Sequence, residues 1–121
     1  MKVVRIDDVA KEPIVSPLFT GRQVTRQALV TEAMSKYFSL GVVSFGQGIR
    51  NKFHTHSSDQ VLIVTAGRGI VATEKEQRQV ALGDVIHIPA GEKHWHGATG
   101  DAAFSHLALT AVGSKTTQLE D

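Results

Sequence analysis

Short β-type runs separated by glycine and proline turns are the feature that most restricts how this chain can fold. Several of its eleven glycines fall between runs of β-branched and apolar residues. No segment sustains the 3.6-residue periodicity of an amphipathic helix. Closely spaced short strands with such turns predict an all-β sandwich or barrel. The predicted strands are Gln23–Val30, Tyr37–Phe45, Phe53–His56, Val61–Thr65, Gly69–Thr73, Arg78–Ala81, Val85–Ile88, His94–His96 and Ala102–Thr110.

The same pattern predicts one domain over residues 1–121. Residues 1–20 are interpreted as an irregular N-terminal arm with one or two short strands, 21–112 as the barrel and 113–121 as a polar tail. The tail is expected to be frayed or partly helical. Because Val61–Val64 is apolar throughout, this run is predicted to be buried on both sides of its sheet.

Composition excludes several classes of function. The net charge is +1 and the basic residues are scattered, so no basic face for nucleic acid is expected. No apolar run approaches the roughly 20 residues that span a bilayer, and the N-terminus lacks the apolar stretch of a signal peptide. There is no cysteine, which excludes disulfides and thiolate ligands. We therefore expect a cytoplasmic protein whose partner is a small molecule, not a nucleic acid or a membrane.

The histidines carry the clearest functional signal. All six lie at or after residue 54, and four of them form two His-x-His pairs, His54 with His56 and His94 with His96. Side chains two apart on a strand point to the same face, so two such pairs on neighbouring strands can bring three or four imidazoles to one ion. This spacing predicts a metal site.

These histidines lie within a pattern of turns that resembles the two sequence motifs of the cupin superfamily. The resemblance implies an all-β, single-domain cupin-type double-stranded β-helix, which is a jelly-roll barrel. It covers residues 48 to about 98. The first motif is represented by Gly48, His54, His56, Gln60 and Gly67, and the second by Gly83, Pro89–Gly91 and His94.

The resemblance makes His54, His56 and His94 metal ligands. The family's usual fourth ligand is a glutamate, and here Gln60 stands in its place. Gln60 is expected either to bind the ion directly or to hydrogen-bond in its surroundings. We expect one divalent ion per chain; imidazole and oxygen ligands accept manganese, iron, nickel or zinc.

Gln60 also changes the expected chemistry. Three imidazoles and an amide oxygen are all neutral, so a divalent ion bound by them keeps its full +2 charge. That charge favours Lewis-acid work and anionic oxygen, and it disfavours a trivalent oxidised metal. Glutamine in place of the usual glutamate therefore favours lyase, isomerase or decarboxylase-type steps over oxygen-activating iron chemistry.

The remaining histidines divide into two groups. His96 shares strand parity with His94, and His106 shares parity with Phe104, so both are candidate catalytic acids or bases if these faces line the cavity. The alternative is that both only hydrogen-bond within the barrel. His87 is expected to have no role in the site, and Trp95 to pack on the opposite face of its strand.

The string from His94 to Ala98, with His106 downstream, narrows the resemblance to cupins described as carboxymuconolactone-decarboxylase-related. Some of these act as metal-dependent hydroxynitrile lyases. The sequence thus favours an enzyme of lyase type. The alternatives are an iron-dependent cupin dioxygenase, a non-catalytic small-ligand-binding cupin and, last, a metal-free barrel.

The resemblance also implies a homodimer, because small cupins commonly exchange or pack N-terminal strands across an interface. The arm over residues 1–20 has apolar residues available for this purpose: Ile6, Val9, Ile14, Val15, Leu18 and Phe19.

Overall fold

Ten β-strands and one short 3-10 turn, Ile6–Asp8, make up the regular structure of the computed structural model, which describes residues 1–121. The all-β prediction is confirmed, and apart from β5 and β10, which are described below, the barrel strands begin and end within a few residues of their predicted bounds. No helix has the length and apolar character that a bilayer crossing requires. The strands are β1 (Glu12–Pro13), β2 (Val24–Val30), β3 (Phe38–Phe45), β4 (His54–His56), β5 (Gln60–Thr73), β6 (Gln77–Ala81), β7 (Val85–Ile88), β8 (His94–Ala98), β9 (Phe104–Ala111) and β10 (Thr116–Gln118).

The strands form one curled antiparallel sheet in the order β1-β2-β3-β9-β5-β8-β4-β10, with β6 and β7 also paired to β5. The first part of β5 pairs with β7 and β9, and its second part pairs with β6 and β8. One strand therefore contributes to both walls of the barrel. This topology is that of a jelly-roll barrel, as the sequence predicts.

A bend at Gly67 allows β5 to serve both walls. Two strands were predicted here, but the structure has one, with a register shift between Val64 and Ala66. Gly67 has φ +71°, and a Cβ at this position would meet the carbonyl oxygen of Ala103. Only glycine tolerates both the left-handed backbone and this close approach.

The prediction that Val61–Val64 is buried on both sides is wrong. Leu62 and Val64 are fully buried, whereas Val61 is half-buried and Ile63 is 37% exposed. The two faces differ because Leu62 and Val64 point into the barrel, and no other element of this chain covers Ile63 on the outside.

The prediction for the tail is also wrong. Within residues 113–121, Thr116–Gln118 forms β10 and pairs with β4, so that Thr116 lies opposite His56. The physical reason is that β4 would otherwise be an unpaired edge, and the polar tail supplies its missing hydrogen bonds.

The core fills one end of the barrel. Phe45 and Phe104 stack with ring centroids 6.1 Å apart, and the arm contributes to this packing through Ile14 and Phe19. Beyond Phe45, the interior of the barrel is filled by histidine rings, of which His96 and His106 contact Phe45. The buried core residues are Val24, Phe45, Val64, Val80, Ala98 and Phe104.

Candidate metal centre

Three histidines converge on one point inside the barrel. His54 and His94 are direct partners on the antiparallel strands β4 and β8, and His56 follows on the same face of β4. One ring nitrogen from each of the three lies within 4.8 Å of the others. The structure thus brings together the three residues that the sequence predicts as metal ligands. We call His54, His56 and His94 the histidine cluster.

Local hydrogen bonds orient two of these rings. Nδ1 of His54 donates to the carbonyl oxygen of Lys52 at 2.6 Å, and Nδ1 of His94 donates to that of Glu92 at 2.8 Å. A carbonyl oxygen can only accept, so in the neutral ring the proton is on Nδ1 and Nε2 carries a lone pair. This is the tautomer that metal-binding imidazoles adopt.

The third ring provides the test of whether this cluster fits a metal ion. Nδ1 of His56 lies 2.9 Å from the hydroxyl of Thr116 on β10. Its Nε2 is buried and has no hydrogen-bond partner. A buried polar atom without a partner is costly unless something satisfies it. A cation bound by the cluster would do so, and the donor set therefore fits a metal.

Burial keeps the cluster neutral. Desolvation lowers the pKa of His54 and of His56 to about 4, and it also lowers the pKa of His94. At neutral pH the rings are therefore uncharged. Because a metal binds the neutral imidazole, no proton has to be displaced from these rings.

Gln60 lies beside the histidine cluster, at the start of β5. It is 6% exposed, and its Oε1 is 3.3 Å from Nε2 of His94. Since the proton of His94 is on Nδ1, these two atoms are both acceptors. Two facing lone pairs are stabilised by a cation between them. Gln60 is thus placed where the motif resemblance puts the fourth ligand.

His96 and His106 form a second histidine pair, deeper in the barrel. His106 donates from Nδ1 to the carbonyl oxygen of Leu107 at 3.1 Å. Its Nε2 then accepts from Nδ1 of His96, again at 3.1 Å. Nε2 of His96 accepts in turn from the side-chain amide of Asn51 at 3.2 Å. All four ring nitrogens are therefore satisfied.

This pair is buried and neutral. Burial lowers the pKa of His106 to about 4 and holds that of His96 well below its usual value. The ring of His96 is nearly parallel to that of His94, with centroids 5.8 Å apart. Phe45 packs against both deeper rings. The pair thus lies directly beneath the histidine cluster, with an apolar floor below it.

Sequence reasoning missed Asn51. Its Oδ1 accepts from the backbone N–H of His96 at 2.8 Å, while its Nδ2 donates to the His96 ring. Asn51 thereby determines the tautomer of His96. Its partner is 45 residues away along the chain, so no local pattern indicates the contact.

Several other predicted residues lie outside the histidine cluster. His87 is exposed, pairs with Asp59 at 2.9 Å and lines a cavity that His94 also lines; the expectation that it has no role in the site stays a prediction. Trp95 lies on the opposite face of β8, with the Arg50 guanidinium 4.4 Å over its ring. The ring of Phe53, the first residue of its predicted strand, lies under the ammonium of Lys93.

A cavity of about 360 Å³ adjoins the cluster on one side. Its wall includes His94 together with apolar side chains of β5 to β7, among them Val71, Ile86 and Ile88. A volume of this size suits a small organic molecule.

Comparisons with known proteins agree with this architecture. A family described as Cupin domain matches residues 41–120. The crystal structure of a cupin-like protein from Thermotoga maritima superposes with a TM-score of 0.82 and 29% identity, covering 100% of this chain and 90% of that one.

Two enzymes are similar over shorter stretches. (R)-Mandelonitrile lyase of Granulicella tundricola is 41% identical over 96 residues, or 78% of this chain. Acireductone dioxygenase of Synechococcus sp. is 38% identical over 63 residues, or 46% of this chain. The matches span 65% of the lyase's own length and 34% of the dioxygenase's.

Proposed function

The chain belongs to the cupin family, and on that premise we propose that it is a metal-dependent lyase acting on a small hydroxylated or carbonyl compound. The observation that carries the proposal is the donor set of the site. Three imidazoles and one amide oxygen converge, and the metal-competent cluster includes no carboxylate. The similarity to a protein named (R)-mandelonitrile lyase supports the same class of reaction.

We assign one divalent ion to His54, His56, His94 and Gln60. Such an ion supplies Lewis acidity toward a substrate oxygen, strengthened by the absence of a charged ligand. Manganese, iron, nickel and zinc all suit this mixture of imidazole and oxygen donors. The chain's part is to hold the three imidazoles at fixed positions through Lys52, Glu92 and Thr116 and to keep the rings neutral.

We assign proton transfer to the His96–His106 pair. In the proposed reaction, a carbon–carbon bond next to a hydroxyl group breaks to give a carbonyl compound and a carbanion leaving group. The hydroxyl proton moves to a ring Nε2 of the pair, whose hydrogen bond from Asn51 or from the neighbouring ring opens to receive it, and then to the carbanion, so no net proton is consumed. A ring with a pKa near 4 holds the proton only briefly and returns it readily.

The test uses mandelonitrile as the probe and benzaldehyde release as the readout. Purified protein is analysed for metal, stripped with a chelator and reloaded with manganese, iron, nickel or zinc in turn. We expect about one equivalent of metal per chain and cleavage only in loaded samples. Loss of cleavage in His96→Ala and His106→Ala, with metal content unchanged, would support their roles. Full turnover in both variants would contradict them.

An iron-dependent dioxygenase is the second candidate, and the similarity to acireductone dioxygenase favours it. Oxygen consumption by the iron-loaded sample, measured in the presence of candidate substrates, separates the two proposals. If the iron-loaded protein consumes oxygen and does not cleave the nitrile, the dioxygenase becomes the proposed function in place of the lyase.

We also propose that the chain forms a homodimer. The outer face of the barrel wall carries an apolar row, with Leu107, Ile63 and Val85 as partners across β9, β5 and β7. Val42 continues this row on β3 but is already buried within the chain. Ile63 and Val85 are exposed, and so are Val3 and Val4 of the arm. A second copy of the chain would cover this row, since it presents the same row and the same arm.

A further inference from the structure

Arg26 places a positive charge on the inner face of the barrel. It lies two residues after Val24 on β2, and Val24 is fully buried in the core. Its partner on β3 is Val43, which packs against the same core. Side chains two apart on a strand share a face, so Arg26 points into the barrel.

The guanidinium is held against the inner wall. A Cβ at Gly41 would lie 2.9 Å from Cζ of Arg26, so the absence of a side chain there leaves room for the arginine. Nη2 of Arg26 donates to the hydroxyl of Ser39 at 3.3 Å. The side chain thus runs along β3 towards the open end of the barrel, where Ala28 is exposed.

This position faces the proposed metal site. Ser39 and Thr110 are partners, and Thr110 is in turn the partner of Gln60. Since neighbouring strands lie about 4.8 Å apart, Ser39 is roughly 10 Å from Gln60 across the wall. A cavity of about 270 Å³ is lined by Arg26, Ser39 and Thr110. Thr110 in the wall of this cavity is the strand partner of Gln60, which lies beside the histidine cluster.

No acidic side chain forms an ion pair with this arginine. The ion pairs of the chain join other residues, and Ser39 is the hydrogen-bond partner of the guanidinium. Glu12, the partner of Arg26 on β1, and Glu32, at the rim of the cavity, are both exposed. A half-buried guanidinium with unused donors is suited to an anionic oxygen.

We propose that Arg26, with the hydroxyls of Ser39 and Thr110, binds a carboxylate at the end of the substrate remote from the histidine cluster. The substrate class is then a short hydroxy- or oxo-carboxylate that spans the barrel mouth. The two nearby glutamates favour a singly charged carboxylate over a dianionic phosphate, because they reduce the positive potential at the rim. This inference rests on the proposed function for the reacting end of the substrate.

The test measures binding of succinate, its neutral diamide and inorganic phosphate to the metal-loaded chain by calorimetry. We expect succinate to bind best and Arg26→Gln to weaken it by about tenfold or more. The matched control is Arg22→Gln, at an exposed position just before β2, with wild-type affinity expected. Metal content and melting temperature of both variants establish that the fold and the histidine cluster are intact.

A second measurement, on the wild-type chain, locates the binding site; the outcomes below combine it with the affinities of the Arg26→Gln variant. In nuclear magnetic resonance spectra, succinate should shift the backbone amide signals of Ser39 and Thr110 in metal-loaded and in chelator-stripped protein. If succinate binding depends on Arg26 but the protein takes up no metal, the lyase proposal is contradicted and the carboxylate site is supported. Normal metal uptake with equal succinate affinity in wild type and Arg26→Gln would overturn the carboxylate site alone. Arg26-dependent binding of phosphate in preference to succinate would also overturn it.

Discussion

Gln60 is the single residue on which the proposed chemistry depends most. Its amide oxygen lies 3.3 Å from Nε2 of His94, at the position where cupins usually carry a glutamate. Amide and carboxylate have nearly the same shape, so the difference between them is one unit of charge next to the ion. In the proposed site, this residue would therefore tune the metal without changing its position.

Gln60→Glu should change both metal and activity. We expect a larger share of iron in protein grown in the same medium, because the carboxylate stabilises the trivalent ion. We expect about ten- to a hundredfold slower lyase turnover, because the carboxylate cancels part of the Lewis acidity. Elemental analysis and benzaldehyde release measure the two effects. Gln77→Glu, at an exposed position on β6, is the control, and the same changes in it would contradict the charge argument.

His106 should make the stability of the metal-free protein depend on pH. Its pKa is lowered from 6.5 to about 4 on folding, so the unfolded chain binds the proton more readily. Stability is therefore complete above pH 6.5 and falls as the pH drops towards 4. Melting temperatures across this range should fall less steeply in His106→Gln than in wild type. Thr117→Val, which changes an exposed group that does not titrate in this range, should retain the wild-type slope.

At the scale of elements, the last strand completes the histidine cluster. β10 pairs along the whole of β4, and its Thr116 lies 2.9 Å from Nδ1 of His56. The other two rings are oriented by carbonyl groups two residues before them in the sequence. Only His56 depends on a distant strand for its orientation. The tail is thus part of the site as well as of the sheet.

Thr116→Val should weaken metal binding without unfolding the barrel. The hydroxyl that holds His56 is lost while the shape of the side chain is kept, and we expect about tenfold weaker affinity. Competition with a chromogenic chelator gives the affinity, and circular dichroism monitors the fold. Thr117→Val, on the opposite face of β10, is the matched control; equal weakening in both variants would show that the strand and not the hydroxyl matters.

At the scale of the whole molecule, the inner and outer faces of one barrel wall have different tasks. The inner face carries Gln60 and His106, whereas the outer face carries the apolar row that includes Ile63. β5 contributes to both faces because its side chains alternate. We expect dimer formation on the outside to stiffen the strand that holds Gln60 on the inside.

Light scattering after size exclusion should give twice the 13.1 kDa mass of the chain. Ile63→Glu should shift the protein towards the monomer, because it places a charge in the row that the second copy covers. Leu82→Glu, in the exposed turn between β6 and β7, should remain dimeric. A monomeric wild-type chain would reject the homodimer.

Much of the fold and part of the site could be predicted from the sequence, because both rest on local signals. Glycine and proline turns delimit the strands, and alternation along a strand puts His54 and His56 on one face. The resemblance to the first cupin motif is what indicates Gln60. Even the tautomers of His54 and His94 depend on neighbours two residues away.

Only the tertiary structure decided the rest, because strand pairing in a barrel joins residues that are far apart in sequence. Asn51 and His96, which are hydrogen-bonded, lie 45 residues apart in the sequence, and Thr116 and His56 lie 60 residues apart. The exposure of Ile63 and the direction of the Arg26 side chain likewise depend on the strand register and on which strands are neighbours in the sheet. Composition and periodicity are local quantities, and the pairing that brings these groups together is not.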